Sequence, residues 1–169
     1  IEAYVSKKAN LFSDTQALSA MKLIAPNIRK AFKNGKDKEA RENLMVGSTL
    51  AGIAFSNSSV ALVHGMSRPI GAFYHVPHGL SNAMLLPTVT EFSIPSAKEK
   101  YAECAKAMKT AKANDSVDTA NKKLLKELIQ LNIDLEVPTL KDFGINKENF
   151  MNNVNNMATQ AIASGSPNN

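Results

Sequence analysis

The sequence predicts an all-α fold, formed by a single domain of 169 residues. Apolar residues recur at helical spacing, most clearly in the stripe Leu124, Leu125, Leu128 and Leu131. Residues that favour helix caps and breaks stand between the apolar stretches. No segment shows the alternation of period two that a half-buried strand requires. With 44% hydrophobic and 21% charged residues, the chain can bury a core without disulfides, and it contains one cysteine.

The first third of the chain predicts two helices. Ser13 or Asp14 is expected to cap the first, with Pro26 as a kink or restart and Asn34-Gly35 as the stop. Asp37 is expected to cap the second. This second helix is mostly apolar all round through Ala61, as a central helix would be, and we expect it to end at Pro69. The reason is that a proline disfavours the helical conformation of the residue before it.

The remaining helices follow the same signals. Pro77 and His78 are expected to open a helix that ends before Pro87, and Ser96 is expected to cap the next one. The leucine stripe predicts a further helix, which ends before Val137-Pro138. Asn146 can cap the last helix. We expect residues 164–169 to form a loop or a frayed end.

The charge balance is basic, with 20 Lys and Arg against 15 Asp and Glu, a net charge of +5. Most cations are lysines interspersed with acidic residues, and aromatic content is 6%, so we expect solvated helix faces and no nucleic-acid partner. No signal peptide opens the chain, and no run of 18 apolar residues occurs. We therefore expect a soluble cytoplasmic protein with no membrane partner.

One segment differs from the rest in its charge. Residues 43–90, which we call the uncharged segment, contain a single charged side chain, Arg68, and all three histidines. Apolar sequence of this length is expected to be covered. Its glycines and prolines argue against a membrane span. The pattern therefore predicts that the uncharged segment is the buried centre of the domain.

The histidines of this segment are candidate metal ligands, because neutral imidazole is a common ligand of transition metals. His64 and His78 are fourteen residues apart, and the prolines between them exclude one unbroken helix. We expect His64 near the end of one helix, a turn through Gly71, and His78 at the start of the next helix, so that both rings can face one ion. His75 is expected to be a partly exposed or outer residue rather than a third ligand. The alternative is that the histidines are ordinary core residues.

The stretch around the histidines, LVHGMSRPIGAFYHVPHGLSNAMLLP, resembles the histidine signature of the iron-dependent (group III) alcohol dehydrogenases. The opening IEAYVSKKAN is also similar to that family, in which it follows two metal ligands. The resemblance covers at least residues 1–95. It implies a C-terminal all-helical domain that binds a divalent metal, beside an N-terminal α/β domain that binds NAD or NADP.

The resemblance also implies a ligand set of one Asp and three His, two of which match His64 and His78. The other two ligands and the nucleotide-binding domain would precede Ile1. Residues 1–169 would then be the separated metal-binding domain, with Fe²⁺ or Zn²⁺ as its ion, and inactive by itself. Such a domain would expose an apolar face, which is compatible with a homo-oligomer.

Four further residues have roles by resemblance. Phe55 matches a position at the family's substrate pocket, and its alternative is a core phenylalanine. Arg68 stands where some members carry a second histidine. Because an arginine remains protonated, we expect it to bind a phosphate or carboxylate of the cofactor, or to form a structural ion pair. Glu2 is expected to be structural, and Asn82 to support the site from one helical turn after His78.

The resemblance thus implies an enzyme that interconverts a small alcohol and an aldehyde or ketone by metal-assisted hydride transfer to NAD(P). A second hypothesis is a non-catalytic helical binding or scaffold module whose histidines belong to the core. A third is a basic helical domain that binds nucleic acid, for which the charge pattern is poor.

Overall fold

The computed structural model describes residues 1–166, and within this range every regular element is a helix, as the sequence predicts. The helices are α1 (Glu2–Val5), α2 (Leu11–Lys33), α3 (Lys38–Asn57), α4 (Leu62–Tyr74), α5 (His78–Ser93), α6 (Lys98–Ala107), α7 (Val117–Asp134) and α8 (Lys147–Ala163), with a 3-10 helix at Ile94–Ser96.

The long helix α2 begins earlier than predicted. Its cap is Asn10, whose side chain accepts a hydrogen bond from the Ser13 backbone N–H at 3.1 Å, while the Ser13 hydroxyl accepts from the Asn10 N–H at 3.0 Å. This reciprocal pair makes Ser13 the third helical residue and places Asp14 inside the helix, so neither of them is the cap. Pro26 lies within α2 without ending it, and Asn34 ends it as predicted.

The structure contradicts the predicted course of the second helix. Asp37 caps α3, but α3 ends at Asn57, and α4 starts at Leu62 after a bend of 101°. The Asn57 amide and the Ser58 hydroxyl donate to the carbonyls four residues earlier, at 2.8 and 2.9 Å, and such side chains compete with the backbone at a helix end. Pro69 does not end a helix. It lies inside α4, where it is buried.

The prediction for the next helix is correct at the start of the helix and wrong at its end. α5 begins at His78 with Pro77 as its cap, as predicted, but it continues through Pro87 to Ser93. Ser96 belongs to the 3-10 helix, and Ala97 is the residue before α6, so the cap predicted at Ser96 is wrong. A proline removes one hydrogen bond from a helix, and packing on both sides can hold the helix together across that gap.

The last two helices agree with the sequence. α7 carries the leucine stripe, and the Asn146 side chain accepts from the Asn149 N–H at 2.9 Å to cap α8. The segment after α8 was predicted as a loop or frayed end. It is a turn up to Ser166, and residues 167–169 of that prediction lie outside the described range.

The main core, which we call the first core, forms between α1, α2, α6 and α7, with Leu124 and Leu128 fully buried. A smaller cluster joins α4, α5 and α8 around Ile70, Val76 and Met157. α2 and α3 pack most extensively against each other. They approach closely at Gly47, where a Cβ atom would lie 2.7 Å from Ile24 Cγ1.

The uncharged segment is not the buried centre of the described chain. Several of its apolar side chains are exposed, among them Met45, Val46, Phe55 and Met66. The first core takes its residues mainly from the charged parts of the sequence, where one helix face is apolar and the other carries the charges. Among the described helices, none taken singly has the length and apolarity to cross a membrane, whereas α3 and α4 reach that level only as a bent pair.

Candidate metal centre

Two helix starts bring the predicted ligands together. His64 is the third residue of α4, and His78 is the first residue of α5. His64 therefore lies near the start of its helix and not near the end, as predicted. The turn between the helices lies at His75–Pro77 rather than at Gly71, and His75 has a left-handed backbone (φ 56°) that ends α4.

The two imidazole rings are neighbours. Their centroids are 5.2 Å apart and their planes are inclined by 58°. Imidazole nitrogens bind Zn²⁺ at about 2.0–2.1 Å, so rings at this separation are close enough to bind one ion. The His64 side chain is 28% exposed and His78 is exposed. Neither ring is therefore a buried core residue, which argues against the core alternative.

Glu2 connects the start of the chain to His64. Its Oε1 accepts hydrogen bonds from the backbone N–H groups of Ala61, Val63 and His64 at 3.0, 2.8 and 3.4 Å. Its Oε2 contacts His64 Nδ1. A carboxylate at a helix N-terminus satisfies free N–H groups and is favoured by the helix dipole. If Nδ1 carries the proton and donates it to Glu2, Nε2 has no proton and its lone pair is free to bind a metal.

Asn82 restrains the second histidine. Its amide nitrogen lies 3.2 Å from His78 Nε2 and donates to the His78 carbonyl at 2.9 Å. The sequence predicts that Asn82 supports the site, and this is the contact through which it would do so. The amide oxygen of Asn82 is buried and has no hydrogen-bond partner among the described residues.

The described residues supply two ligands and no more. Within residues 1–166, no group of three or more His, Cys, Asp or Glu side chains is placed to hold a metal ion. His75, the residue that ends α4, therefore does not form a three-histidine group with His64 and His78. Cys104 is buried in the first core, and burial raises the pKa of its thiol to about 11, which makes it a packing residue. Two imidazoles suit Fe²⁺ or Zn²⁺ chemically but cannot complete a four-coordinate site.

Phe55 lies near this site, near the end of α3. It lines the same cavity as His64 and is 48% exposed. The break between α3 and α4 explains how Phe55 and His64 can share a cavity although nine residues separate them, which is out of phase on an ideal helix. Phe55 is therefore not a fully buried core residue, and its assignment to the substrate stays a prediction.

Arg68 lies one helical turn after His64 on α4. Its guanidinium donates a hydrogen bond to the Ser166 hydroxyl, and it forms no ion pair within residues 1–166. The alternative of a structural ion pair inside the described chain is therefore not seen. Its predicted contact with the cofactor stays a prediction.

Sequence reasoning missed the bond between Glu2 and His64, which are 62 residues apart. One sequence signal was available. α4 begins after Ala61, a residue without a side chain that can cap a helix, so its free N–H groups need a partner from elsewhere. A lone acidic residue near a helix start cannot be assigned to that partner until the fold brings the two together.

Comparison with known proteins gives the context of this site. The profile of the Fe-containing alcohol dehydrogenase family, C-terminal, matches residues 1–169. The chain is 38% identical over 151 residues to 1,3-propanediol dehydrogenase of Klebsiella pneumoniae, covering 89% of this chain and 39% of that protein. It is 37% identical over 167 residues to NADPH-dependent butanol dehydrogenase of Clostridium saccharobutylicum, covering 96% of this chain and 41% of that protein.

Solved structures agree with this result. The crystal structure of a 1,3-propanediol oxidoreductase superposes with a TM-score of 0.91 at 36% identity, over 98% of this chain and 42% of that one. An alcohol dehydrogenase from Oenococcus oeni superposes with a TM-score of 0.90 at 34% identity, over 98% of this chain and 43% of that one. The 169 residues thus span about two fifths of the length of these relatives, and they match the helical C-terminal domain.

Proposed function

Because this chain belongs to the Fe-containing alcohol dehydrogenase family, we propose that it forms the helical metal-binding part of an NAD(P)-linked enzyme. That enzyme interconverts a small alcohol with the corresponding aldehyde or ketone. The observation that carries the proposal is the pair of imidazoles, His64 and His78, whose ring centroids are 5.2 Å apart. The carboxylate of Glu2 on Nδ1 of His64 adds to it, since metal-binding histidines commonly donate their other N–H to such a group.

The ion would be Fe²⁺, or Zn²⁺ in its place, and when bound it would supply a Lewis acid for the alcohol oxygen. His64 would hold it through Nε2, because Glu2 occupies the other nitrogen. His78 would hold it from the start of α5. The Asn82 amide nitrogen lies 3.5 and 3.2 Å from the two ring nitrogens of His78, so His78 would have to release a contact with Asn82 to hold the ion.

The other proposed roles follow from position. Phe55 forms an apolar wall beside His64 and would contact the carbon chain of the substrate. Arg68, one turn beyond His64 and without an acidic partner in residues 1–166, would bind a phosphate or carboxylate of the nucleotide. Neither residue exchanges a proton with the substrate in this proposal, because a phenyl ring has none to give and a guanidinium keeps its own.

Two parts of the site must come from outside residues 1–166. Four-coordination requires two further metal ligands, and hydride transfer requires NAD or NADP held near the alcohol carbon. We propose that a nucleotide-binding domain is the partner of this helical unit. Residues 1–169 by themselves are then expected to bind a metal weakly and to turn over no alcohol.

The direct test is metal binding by the 169-residue chain. Equilibrium dialysis against Zn²⁺, with circular dichroism to verify folding, should show binding that is lost in His64→Ala and in His78→Ala. His75→Ala is the matched control, because His75 is an exposed histidine of the same segment, and it should bind as the parent does. Equal Zn²⁺ binding by all four proteins would show that the ligand assignment is wrong.

A further inference from the structure

α1 is a single helical turn, and so short a helix is not held in one orientation by its own hydrogen bonds. Its residues Ala3, Tyr4 and Val5 are buried in the first core. Apolar burial is not directional, so it keeps the turn in the core without fixing how the turn is rotated about its axis. The rotation matters because the Glu2 side chain has to reach the start of α4. Directional contacts of α1 must therefore set it.

Two side chains of α6 supply such contacts to Tyr4. The Tyr4 hydroxyl donates a hydrogen bond to Glu103 Oε2, and the Lys100 ammonium donates to the Tyr4 carbonyl at 2.7 Å. Lys100 Nζ also lies 5.0 Å from the centroid of the Tyr4 ring, within the range of a cation–π contact. Burial and the Glu103 carboxylate raise the pKa of the Tyr4 hydroxyl, so it remains a hydrogen-bond donor. Tyr4 is thus held at its backbone and at the end of its side chain.

We call Tyr4, Lys100 and Glu103 the α1 clamp. Both of its hydrogen bonds have a charged partner, and such bonds are stronger than bonds between neutral groups. Lys100 is in turn held from α2, because its Nζ lies 3.8 Å from Asp14 Oδ2. The clamp therefore connects α1 to two long helices of the first core.

The geometry of a helix turns this contact into control over Glu2. Glu2 and Tyr4 are two residues apart, which is about 200° around a helix, so their side chains leave α1 on nearly opposite sides. Tyr4 contacts α6, whereas Glu2 contacts the first N–H groups of α4 and Nδ1 of His64. Holding Tyr4 on α6 therefore directs Glu2 toward α4.

We propose that the α1 clamp holds the Glu2 carboxylate on His64, which makes Lys100 and Glu103 positioning residues of the candidate metal centre. They act on His64 through α1 and Glu2. Without the clamp, α1 keeps its apolar residues in the first core but is free to rotate, and the His64 ring loses its fixed partner. The inference rests on the proposed function for its consequence in metal binding, whereas the contact between Glu2 and His64 exists without a metal.

The first test is the His64 ring in the metal-free 169-residue chain. Long-range ¹H–¹⁵N NMR spectra, recorded in mildly alkaline buffer in which imidazole is neutral, show which ring nitrogen carries the proton. His75→Ala and His78→Ala assign the signals of the three histidines. We expect the proton on Nδ1 of His64, because Glu2 accepts it there. A parent His64 with its proton on Nε2 would overturn the inference.

The clamp variants should change this spectrum. Tyr4→Phe, Lys100→Met and Glu103→Ala each remove one clamp contact, and His64 should shift toward the form with the proton on Nε2, which an unrestrained imidazole favours. Lys100→Arg keeps a donor and Glu103→Gln keeps an acceptor, so both should resemble the parent. Lys98→Met is the matched control, because Lys98 is an exposed lysine of the same helix. A His64 spectrum unchanged in Glu103→Ala and in the other clamp variants that fold by circular dichroism would refute the clamp; Glu103 is exposed, so its removal leaves the fold intact.

Zn²⁺ affinity gives a second readout, which a general loss of stability would not reproduce. The loss of an outer partner of a metal-binding histidine costs about 10–100-fold in affinity, so we expect Lys100→Met to weaken Zn²⁺ binding by at least about threefold. In a Glu2→Ala background, the same substitution should change the affinity little, because the clamp acts through Glu2. Equal losses in both backgrounds would contradict the inference.

The two readouts separate this inference from the proposed function. If the His64 signals respond to the clamp variants but the parent binds no Zn²⁺, the clamp stands and the metal site fails. If the parent binds Zn²⁺ through His64 and His78 but neither the His64 signals nor the affinity responds to the clamp variants, the metal site stands and the inference fails.

Discussion

The first core and the uncharged segment are both helical, but the outer faces of their helices differ in charge. In the first core, α2, α6 and α7 turn apolar faces inward, and their charged faces carry contacts such as those of Arg29 with Glu127 and Asp134. Within residues 43–90, the parts of α3, α4 and α5 that form the uncharged segment have Arg68 as their single charged side chain. Their outer surfaces therefore expose apolar side chains such as Met45, which is 69% exposed.

This difference shows that lack of charge does not mean burial within the same chain. A segment can avoid charges because it forms a site or meets another surface, and exposed apolar patches commonly mark such places. Here the uncharged segment contains the bends that bring His64 and His78 together. The turn between α4 and α5 packs in the smaller cluster with α8, and α3 contributes Ala54 to the first core near its bend to α4.

One of the side chains that join the two regions contacts the candidate metal site. Glu2 belongs to α1, which packs into the first core, and its carboxylate caps α4 and contacts His64 in the uncharged segment. The position of one candidate ligand is therefore set by the folding of the first core. Substitutions in the two regions should differ accordingly in their effect on stability and on the site.

The largest effect is expected in the first core. Leu124→Ala should lower the free energy of unfolding by about 2–5 kcal/mol, because Leu124 is fully buried and its truncation leaves a cavity. Urea unfolding followed by circular dichroism measures this loss. Ile129→Ala on the same helix is the control, since Ile129 is 48% exposed, and it should cost less than about 1 kcal/mol. Similar losses for both would show that α7 is not packed as described.

An intermediate effect is expected at the junction. Glu2→Ala removes the acceptor for three N–H groups at the start of α4, and we expect a loss of about 1–3 kcal/mol in the same urea assay. Glu2→Gln keeps an acceptor oxygen and should lose less. Glu2→Ala should also weaken Zn²⁺ binding, because the His64 ring is no longer held. If both variants were as stable as the parent, the capping role of Glu2 would be refuted.

The smallest effect is expected on the outer surface of α3. Met45→Ala should change the free energy of unfolding by no more than about 0.5 kcal/mol, because Met45 is exposed and alanine favours helix. Met21→Ala is the matched comparison, since Met21 is buried in the first core, and it should cost about 2 kcal/mol or more. A large loss at Met45 would indicate that this surface is covered in solution.

The elements that depend on local chemistry were predictable from the sequence. The caps Asp37 and Asn146, the start of α5 at Pro77-His78 and the leucine stripe of α7 agree with the sequence prediction, because each depends on a few adjacent residues. Pro69 and Pro87 are predicted helix ends, but the structure places both of them inside helices. A proline weakens a helix by a limited amount, and burial of the flanking turns can exceed that amount. Local rules contain no information about such burial.

The sequence by itself determined the helical class, because periodicity and cap residues are properties of the chain alone, and its resemblance to a known family indicated His64 and His78 as candidate ligands. Only the tertiary structure decided which face of the uncharged segment is exposed, that Glu2 contacts His64, and that several helices line one open cavity beside His64. These facts depend on contacts between residues far apart in sequence. The free energy of such contacts comes from packing, which no local pattern specifies.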